Sequence, residues 1–198
     1  MSTIPRDTSN GYEDVAEDFM SARNVRIGPS TVREWSRTLP PGSSILDLGC
    51  GHGVPVSKIL IEEGFDVYGV DGSAKLIRAF RERFPGAHAE CSAVEDSEFF
   101  GRTFDGVVAI GLMFLLTPSI QAEVIRKVSR ALSPGGKFLF TSAKEAVEWR
   151  DSLTGRDSVS LGVERYVQIL REFGLTLVGE EVDEGRNHYY CVAKPGGA

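Results

Sequence analysis

From Ser44 onward, short apolar runs alternate with stretches in which apolar residues recur every three or four positions. An apolar run of roughly four to eight residues between polar turns reads as a buried strand, whereas the wider spacing reads as one face of a helix. Runs of strand length fall at 44–48, 66–70, 87–91, 104–110, 136–141, 175–181 and 187–193. Between them, Leu76, Ile77, Phe80 and Phe84 share one helical face behind a capping Ser73. Ile120, Val124, Val128 and Leu132 recur every four residues behind Thr117-Pro118, with proline at the first helical position. Val163, Tyr166, Val167, Leu170 and Phe173 stripe a last helix that Gly174 stops.

Strands alternating with helices specify a parallel sheet covered on both sides. The rhythm breaks at the end, where Asp183-Glu184-Gly185-Arg186 leaves no room for a helix, so the last two strands form an antiparallel hairpin. The expected fold is therefore α/β, a doubly wound and mostly parallel seven-stranded sheet with an antiparallel last strand and helices on both faces. With 198 residues, one domain spanning 1–198 is expected. Residues 1–40 read as an N-terminal helical cap, with Val15/Phe19 and Val32/Trp35/Leu39 at helical spacing. Residues 142–160 exceed the usual connection length and read as a lid or substrate loop.

Composition narrows the partners. Residues 1–28 lack a signal-peptide-like apolar core, and Val107–Leu116 is too short to span a bilayer, so no membrane is expected. Cys50, Cys91 and Cys191 are odd in number and widely spaced, which fits a reducing cytoplasm rather than a disulfide framework. A net charge of −6 argues against a nucleic-acid partner, and Arg78, Arg81 and Arg83 read as one solvated helix face. Nothing in the sequence reads on the oligomeric state.

The chemistry concentrates in Ile45-Leu46-Asp47-Leu48-Gly49-Cys50-Gly51-His52-Gly53, a buried strand running through three alternating glycines into a helix that starts near Val54. Glycines at such a turn let backbone lie flush against a ligand at the helix N-terminus. Eighteen residues past Gly53, the strand Val67-Tyr68-Gly69-Val70 ends in Asp71. A right-handed crossover sets this strand beside the first, where a carboxylate accepts hydrogen bonds from a ribose hydroxyl pair. Together these features point to an adenosine-containing ligand. The dinucleotide pattern G-x-G-x-x-G fails at Val54. Asp47, two residues before the first glycine, repels phosphate and favours an ammonium or sulfonium charge. S-adenosylmethionine carries both.

At these residues the chain resembles the class I S-adenosylmethionine-dependent methyltransferases, particularly the small-molecule branch, from about Leu39 to the C-terminus. Ile45–Gly53 matches the family's first motif, Val67–Asp71 the second, and Leu132-Ser133-Pro134-Gly135-Gly136 its turn into strand five. The resemblance implies metal-independent methyl transfer to an O, N or S atom of a small-molecule acceptor. It implies that Gly49, Cys50, Gly51 and Gly53 hold the methionine portion of the donor, with Asp47 near its amino group. Asp71 takes the ribose; Gly72, Ala93, Val94 and Glu95 flank the adenine, with Ser92 where many members carry an acid. Ile110 lies beneath the methyl group, and Tyr12 and Arg23 close over the methionine end. Candidate acceptor contacts are Met113, Trp149, Arg156 as a clamp for a carboxylate or phosphate, and His188, which is also the candidate base. No metal is expected, because Cys50-x-His52 has no second ligand pair.

No catalytic dyad stands out, and in-line methyl transfer need not show one, since alignment alone supplies roughly 7–11 kcal/mol. Two other readings stay open: a donor-binding regulatory or partner module without turnover, and a nicotinamide oxidoreductase. Nucleic-acid amino-methylation is disfavoured, because Ile110-Gly111-Leu112-Met113 stands where that branch carries Asn/Asp-Pro-Pro-aromatic.

Overall fold

The structure, a computed structural model, describes residues 7–22 and 26–197. Two short helices, α1 (Ala16–Ala22) and α2 (Pro29–Ser36), precede the sheet. Then β1 (Ser44–Leu48), α3 (Val56–Glu62), β2 (Asp66–Asp71), α4 (Ala74–Arg83), β3 (His88–Cys91), β4 (Phe104–Ala109), α5 (Pro118–Ala131) and β5 (Leu132–Thr141) alternate. A hairpin, β6 (Ala146–Arg150) and β7 (Asp157–Leu161), leads into α6 (Gly162–Glu172) and the closing strands β8 (Thr176–Val182) and β9 (His188–Ala193). Seven strands form one sheet in the order β3-β2-β1-β4-β5-β9-β8. All pairs from β3 to β5 are parallel, and β9 runs antiparallel to both neighbours.

Period-two alternation divides the apolar side chains between two faces. Leu46, Leu48, Val70, Val107, Phe138 and Phe140 pack on one side with Val124, Val128, Tyr166 and Leu170 of α5 and α6. Ile45, Val67, Val108 and Leu139 pack on the other with α2 and α3 through Val32, Trp35, Ile59 and Leu60. Both faces of the central strands are dry, as a parallel sheet requires. Ser73 caps α4 by accepting the Leu76 N–H at 3.2 Å, as its position predicts. Thr117 stands at the N-cap of α5 but makes no side-chain capping bond.

Residues 142–160, the expected lid or substrate loop, carry regular structure. Most of them form the β6–β7 hairpin, turned at Asp151, whose Oδ1 accepts the N–H groups of Leu153 (3.1 Å) and Thr154 (2.7 Å). Its floor is buried: Tyr166 OH donates to Gln121 Oε1 (2.6 Å), and Gln121 Nε2 donates to Val159 O of β7 (2.9 Å). A polar side chain with every group engaged makes a stiff anchor. The N-terminal cap is helical in part, as α1 and α2, with an irregular segment before α1 that proves central to the site.

Candidate functional site

The strand order reverses between β1 and β4, and such a switch point opens a crevice beyond the carboxyl ends of the strands. The glycine turn closes its floor. Gly49 and Cys50 donate their N–H groups to Val70 O (2.8 and 3.1 Å), binding the turn to the end of β2. Gly51 has φ 55° and donates its N–H to Asp71 Oδ2 at 2.9 Å, so the left-handed turn and the acid of β2 form one unit. Gly53, at φ 81°, serves packing: a Cβ there would lie 2.4 Å from Phe84 Cε2 and 2.9 Å from Phe80 Cδ2 of α4.

The cavity above this floor is lined by four carboxylates, Asp47, Asp71, Glu95 and Asp151, and among the described residues by no Lys, Arg or His. Asp71 is 9% exposed and accepts from Ser73 N (2.8 Å) on its other oxygen. Burial pushes its carboxyl up from the ordinary range, against the lowering effect of the Ser73 and Gly51 N–H bonds. Each of its oxygens keeps a lone pair beyond those bonds. Asp47, 2% exposed, accepts from Ser57 Oγ at 2.5 Å. Cys50 also lines the cavity, and burial together with the Asp71 and Asp47 charges holds its thiol protonated. Apolar walls come from Val94, Ile110, Leu112 and Phe114. A buried acid-only cavity suits a cation and opposes a pyrophosphate.

The segment before α1 crosses the mouth and is tied to both rims. On the β2–α4 side, Thr8 Oγ1 donates to Gly72 O (3.0 Å), and Glu13 accepts from Ser73 Oγ (2.6 Å) and Lys75 N (3.1 Å). On the hairpin side, Tyr12 OH donates to Asp151 Oδ2 (3.2 Å), and Arg156 pairs with Asp7 at 2.5 Å. Phe19 of α1 meets Tyr12 (5.3 Å) and His52 (5.8 Å) edge to face. His52 thereby touches the cap.

Of the residues singled out from sequence, Tyr12, Asp47, Gly49, Cys50, Gly51, Asp71, Gly72, Val94, Glu95 and Ile110 all border this cavity. Others lie elsewhere. Gly53 sits behind the turn against α4, and Ala93 is buried beneath Val94, its carbonyl accepting the Asp96 and Ser97 N–H groups. Met113 points into the core, fully buried, and its neighbour Phe114 reaches the cavity instead. Trp149 and Arg156 line an adjoining cleft, and the ion pair with Asp7 already answers the Arg156 charge. His188 borders neither cleft; its Nε2 lies 3.0 Å from Glu180 Oε2, at ion-pair distance but without hydrogen-bond alignment. Arg23 falls outside the described residues. Thr8, Ser9, Asn10 and Asp151 also line the cavity, and no motif marks them; the bonds of Thr8 to Gly72 and of Tyr12 to Asp151 span 64 and 139 positions of chain.

Comparison with known proteins agrees with this geometry. Residues 45–136 match the methyltransferase-domain family. A methyltransferase of Penicillium fellutanum, phqN, is 27% identical over 182 residues, which is 81% of this chain and 55% of that protein. The tRNA (carboxymethyluridine(34)-5-O)-methyltransferase ALKBH8 of Macaca fascicularis is 30% identical over 129 residues, 65% of this chain but 18% of its own length. The chain thus spans about half or less of these relatives. In structure, the CcbJ methyltransferase of Streptomyces caelestis superposes with a TM-score of 0.77 at 16% identity, over 97% of this chain and 100% of that one, which shows a shared fold.

Proposed function

Since this chain belongs to the class I S-adenosylmethionine-dependent methyltransferases, we propose that it transfers a methyl group from S-adenosylmethionine to an O, N or S atom of a small molecule. The observation that carries this reading is the cavity lined by four acids and no base among the described residues. Bound there, the donor supplies a methyl group on a positively charged sulfur, together with an ammonium. Asp47, beside the glycine turn, would hold the ammonium, and Asp71 would accept from the ribose hydroxyls through its remaining lone pairs. Val94 and Glu95 would flank the adenine, and Ile110 with Gly49 would border the methionine end.

On the acceptor side the chain's work is alignment and exclusion of water. Leu112, Phe114 and the cap residues Tyr12 and Phe19 form an apolar collar between the glycine turn and Asp151. Asp151 Oδ1 is engaged by the Leu153 and Thr154 N–H groups and by Thr154 Oγ1, so Oδ2, next to Tyr12 OH, is the oxygen left to take a proton from an acceptor N–H or O–H. It is therefore the candidate base in place of His188. Two features support a small molecule over an RNA: the −6 net charge, and rim arginines already paired, Arg150 with Asp157 at 3.4 Å and Arg156 with Asp7.

Turnover of methyl-labelled S-adenosylmethionine against a broad panel of amines, phenols and thiols tests this. Label should reach at least one small acceptor, and Asp71→Ala should weaken donor binding by about tenfold or more as paired hydrogen bonds are lost. Label reaching tRNA transcripts alone would overturn the acceptor class. Unaltered donor affinity in Asp71→Ala would overturn the ribose assignment.

A further inference from the structure

A second cleft opens beside the donor cavity, between the β6–β7 hairpin and the loop that leads into α5. The two share Asn10, Leu115 and Leu116, so one molecule can occupy both. Two residues that line it each carry a buried polar atom without a partner. Asn10 Nδ2 is shielded from solvent and makes no hydrogen bond, and Ser158 Oγ is likewise unpaired on a residue only 1% exposed. Buried polar groups are nearly always satisfied, and each orphan costs desolvation that a bound group can return. Asn10 is also held at φ 53°, a left-handed conformation that few side chains other than Asn adopt. Both residues line this cleft, Asn10 from the segment before α1 and Ser158 from β7.

The guest's chemistry follows from the walls. Trp149 and Ser158 are cross-strand partners in the hairpin, and the Trp149 ring lies 5.3 Å from that of Phe114, which lines the donor cavity. Leu115, Leu116, Pro118 and Val159 complete an apolar slot. Its charged residues cancel: Glu148 and Asp157 against Arg150 and Arg156, with both arginines already in ion pairs. An anion gains no open cation there. A flat, uncharged ring gains stacking, and a carbonyl or ring nitrogen on it satisfies Asn10 Nδ2 and Ser158 Oγ. We propose that this cleft holds the remote part of the methyl acceptor, and that Asn10 and Ser158 select an uncharged planar molecule bearing a hydrogen-bond acceptor. The assignment of this guest as the methyl acceptor rests on the proposed methyltransferase activity, but the chemistry of the cleft does not.

The probes are carbostyril, a neutral fused-ring lactam, and quinaldate, a carboxylate on a comparable ring. They are titrated into the full chain saturated with S-adenosylhomocysteine, with binding followed at the Trp149 indole resonance. The other tryptophan, Trp35, is carried by α2, buried against the sheet, and serves as the internal control. Carbostyril should shift Trp149 and bind about fivefold or more tighter than quinaldate, as expected where no cation is open to an anion. Ser158→Ala should weaken carbostyril by about three- to tenfold while leaving thermal stability unchanged, because the hydroxyl makes no bond in the free protein. Asn10→Asp, which keeps the shape and the left-handed tolerance but removes the donor, should weaken carbostyril similarly. Quinaldate binding as tightly as carbostyril, or either variant leaving carbostyril affinity intact, overturns the proposal. Should S-adenosylhomocysteine itself fail to bind, the methyltransferase reading falls, and the same titration without it still decides the cleft.

Discussion

Gly72→Ala isolates the clasp over the donor cavity from the stability of the sheet. A Cβ at Gly72 would sit 1.9 Å from Thr8 O, 2.5 Å from Thr8 C and 3.0 Å from Ser9 Cα. All three are backbone atoms, so no rotamer change relieves the overlap, and the cap must lift. Gly72 is not among the residues at positive φ, so alanine suits its own backbone and the cost falls on the cap alone. Lifting breaks the Thr8–Gly72 bond and strains those of Glu13 to Ser73 and Lys75. At about 1 kcal/mol net for each hydrogen bond, the loss comes to about 2–3 kcal/mol, or roughly 30- to 150-fold in the closing equilibrium. Hydrogen exchange should show residues 9–14 losing protection by that factor, while amides of β1 and β4 keep theirs. Donor affinity should fall along with cap closure. Unchanged protection at 9–14, or equal loss across the sheet, would refute the clasp.

Other expectations rest on separate contacts. Lys127 Nζ donates to the carbonyls of Val94 (3.3 Å), Glu95 (2.8 Å) and Ser97 (2.6 Å), so Lys127→Met should slacken the segment expected at the adenine and weaken S-adenosylmethionine by about three- to tenfold in calorimetry. Gly53→Ala combines positive φ with the overlap on Phe84 and should cost about 2–4 kcal/mol in urea unfolding. Adding Phe84→Ala should recover only the Phe84 share of the overlap, leaving the Phe80 contact at 2.9 Å and the positive φ, and full recovery would remove the backbone argument. For pH, burial raises the folded-state pKa of Asp71 above the usual 3.8, so its ionisation costs stability as pH rises through the weakly acidic range, and protonation relieves that cost. Donor affinity should move the opposite way, weakening as pH falls through the same range. Asp71→Asn should flatten that dependence, and an unflattened curve would assign it to another acid.

Much of the fold was legible because its signals are local. The apolar runs mark all seven strands of the main sheet to within a few residues at most ends, and the period-four stripe on α5 states which face it buries. The short β6–β7 strands were not legible: Ser158 and Ser160 are buried where strand patterns carry apolar residues, and the hairpin is anchored by a long-range bond from Gln121 to Val159 O. Within the site, the glycine turn and Asp71 belong to one βαβ unit, so their spacing discloses their meeting. The cap contacts of Thr8, Tyr12 and Asp7 depend on where the chain returns after 64, 139 or more residues, which no local pattern encodes. Motif position puts Gly53 and Met113 at the ligand, and the structure packs Gly53 against Phe84 and Met113 in the main core.

The central claim is that the acid-lined corner selects a positively charged sulfur nucleoside over a pyrophosphate. Competitive calorimetry at low ionic strength, with S-adenosylmethionine titrated against NAD⁺, tests it most directly. S-adenosylmethionine should bind near micromolar and remain undisplaced by NAD⁺ in large excess, and added salt should weaken it, as attraction to Asp47 and Asp71 demands. Absence of measurable binding at millimolar S-adenosylmethionine in the folded protein, or displacement by NAD⁺, would contradict the account.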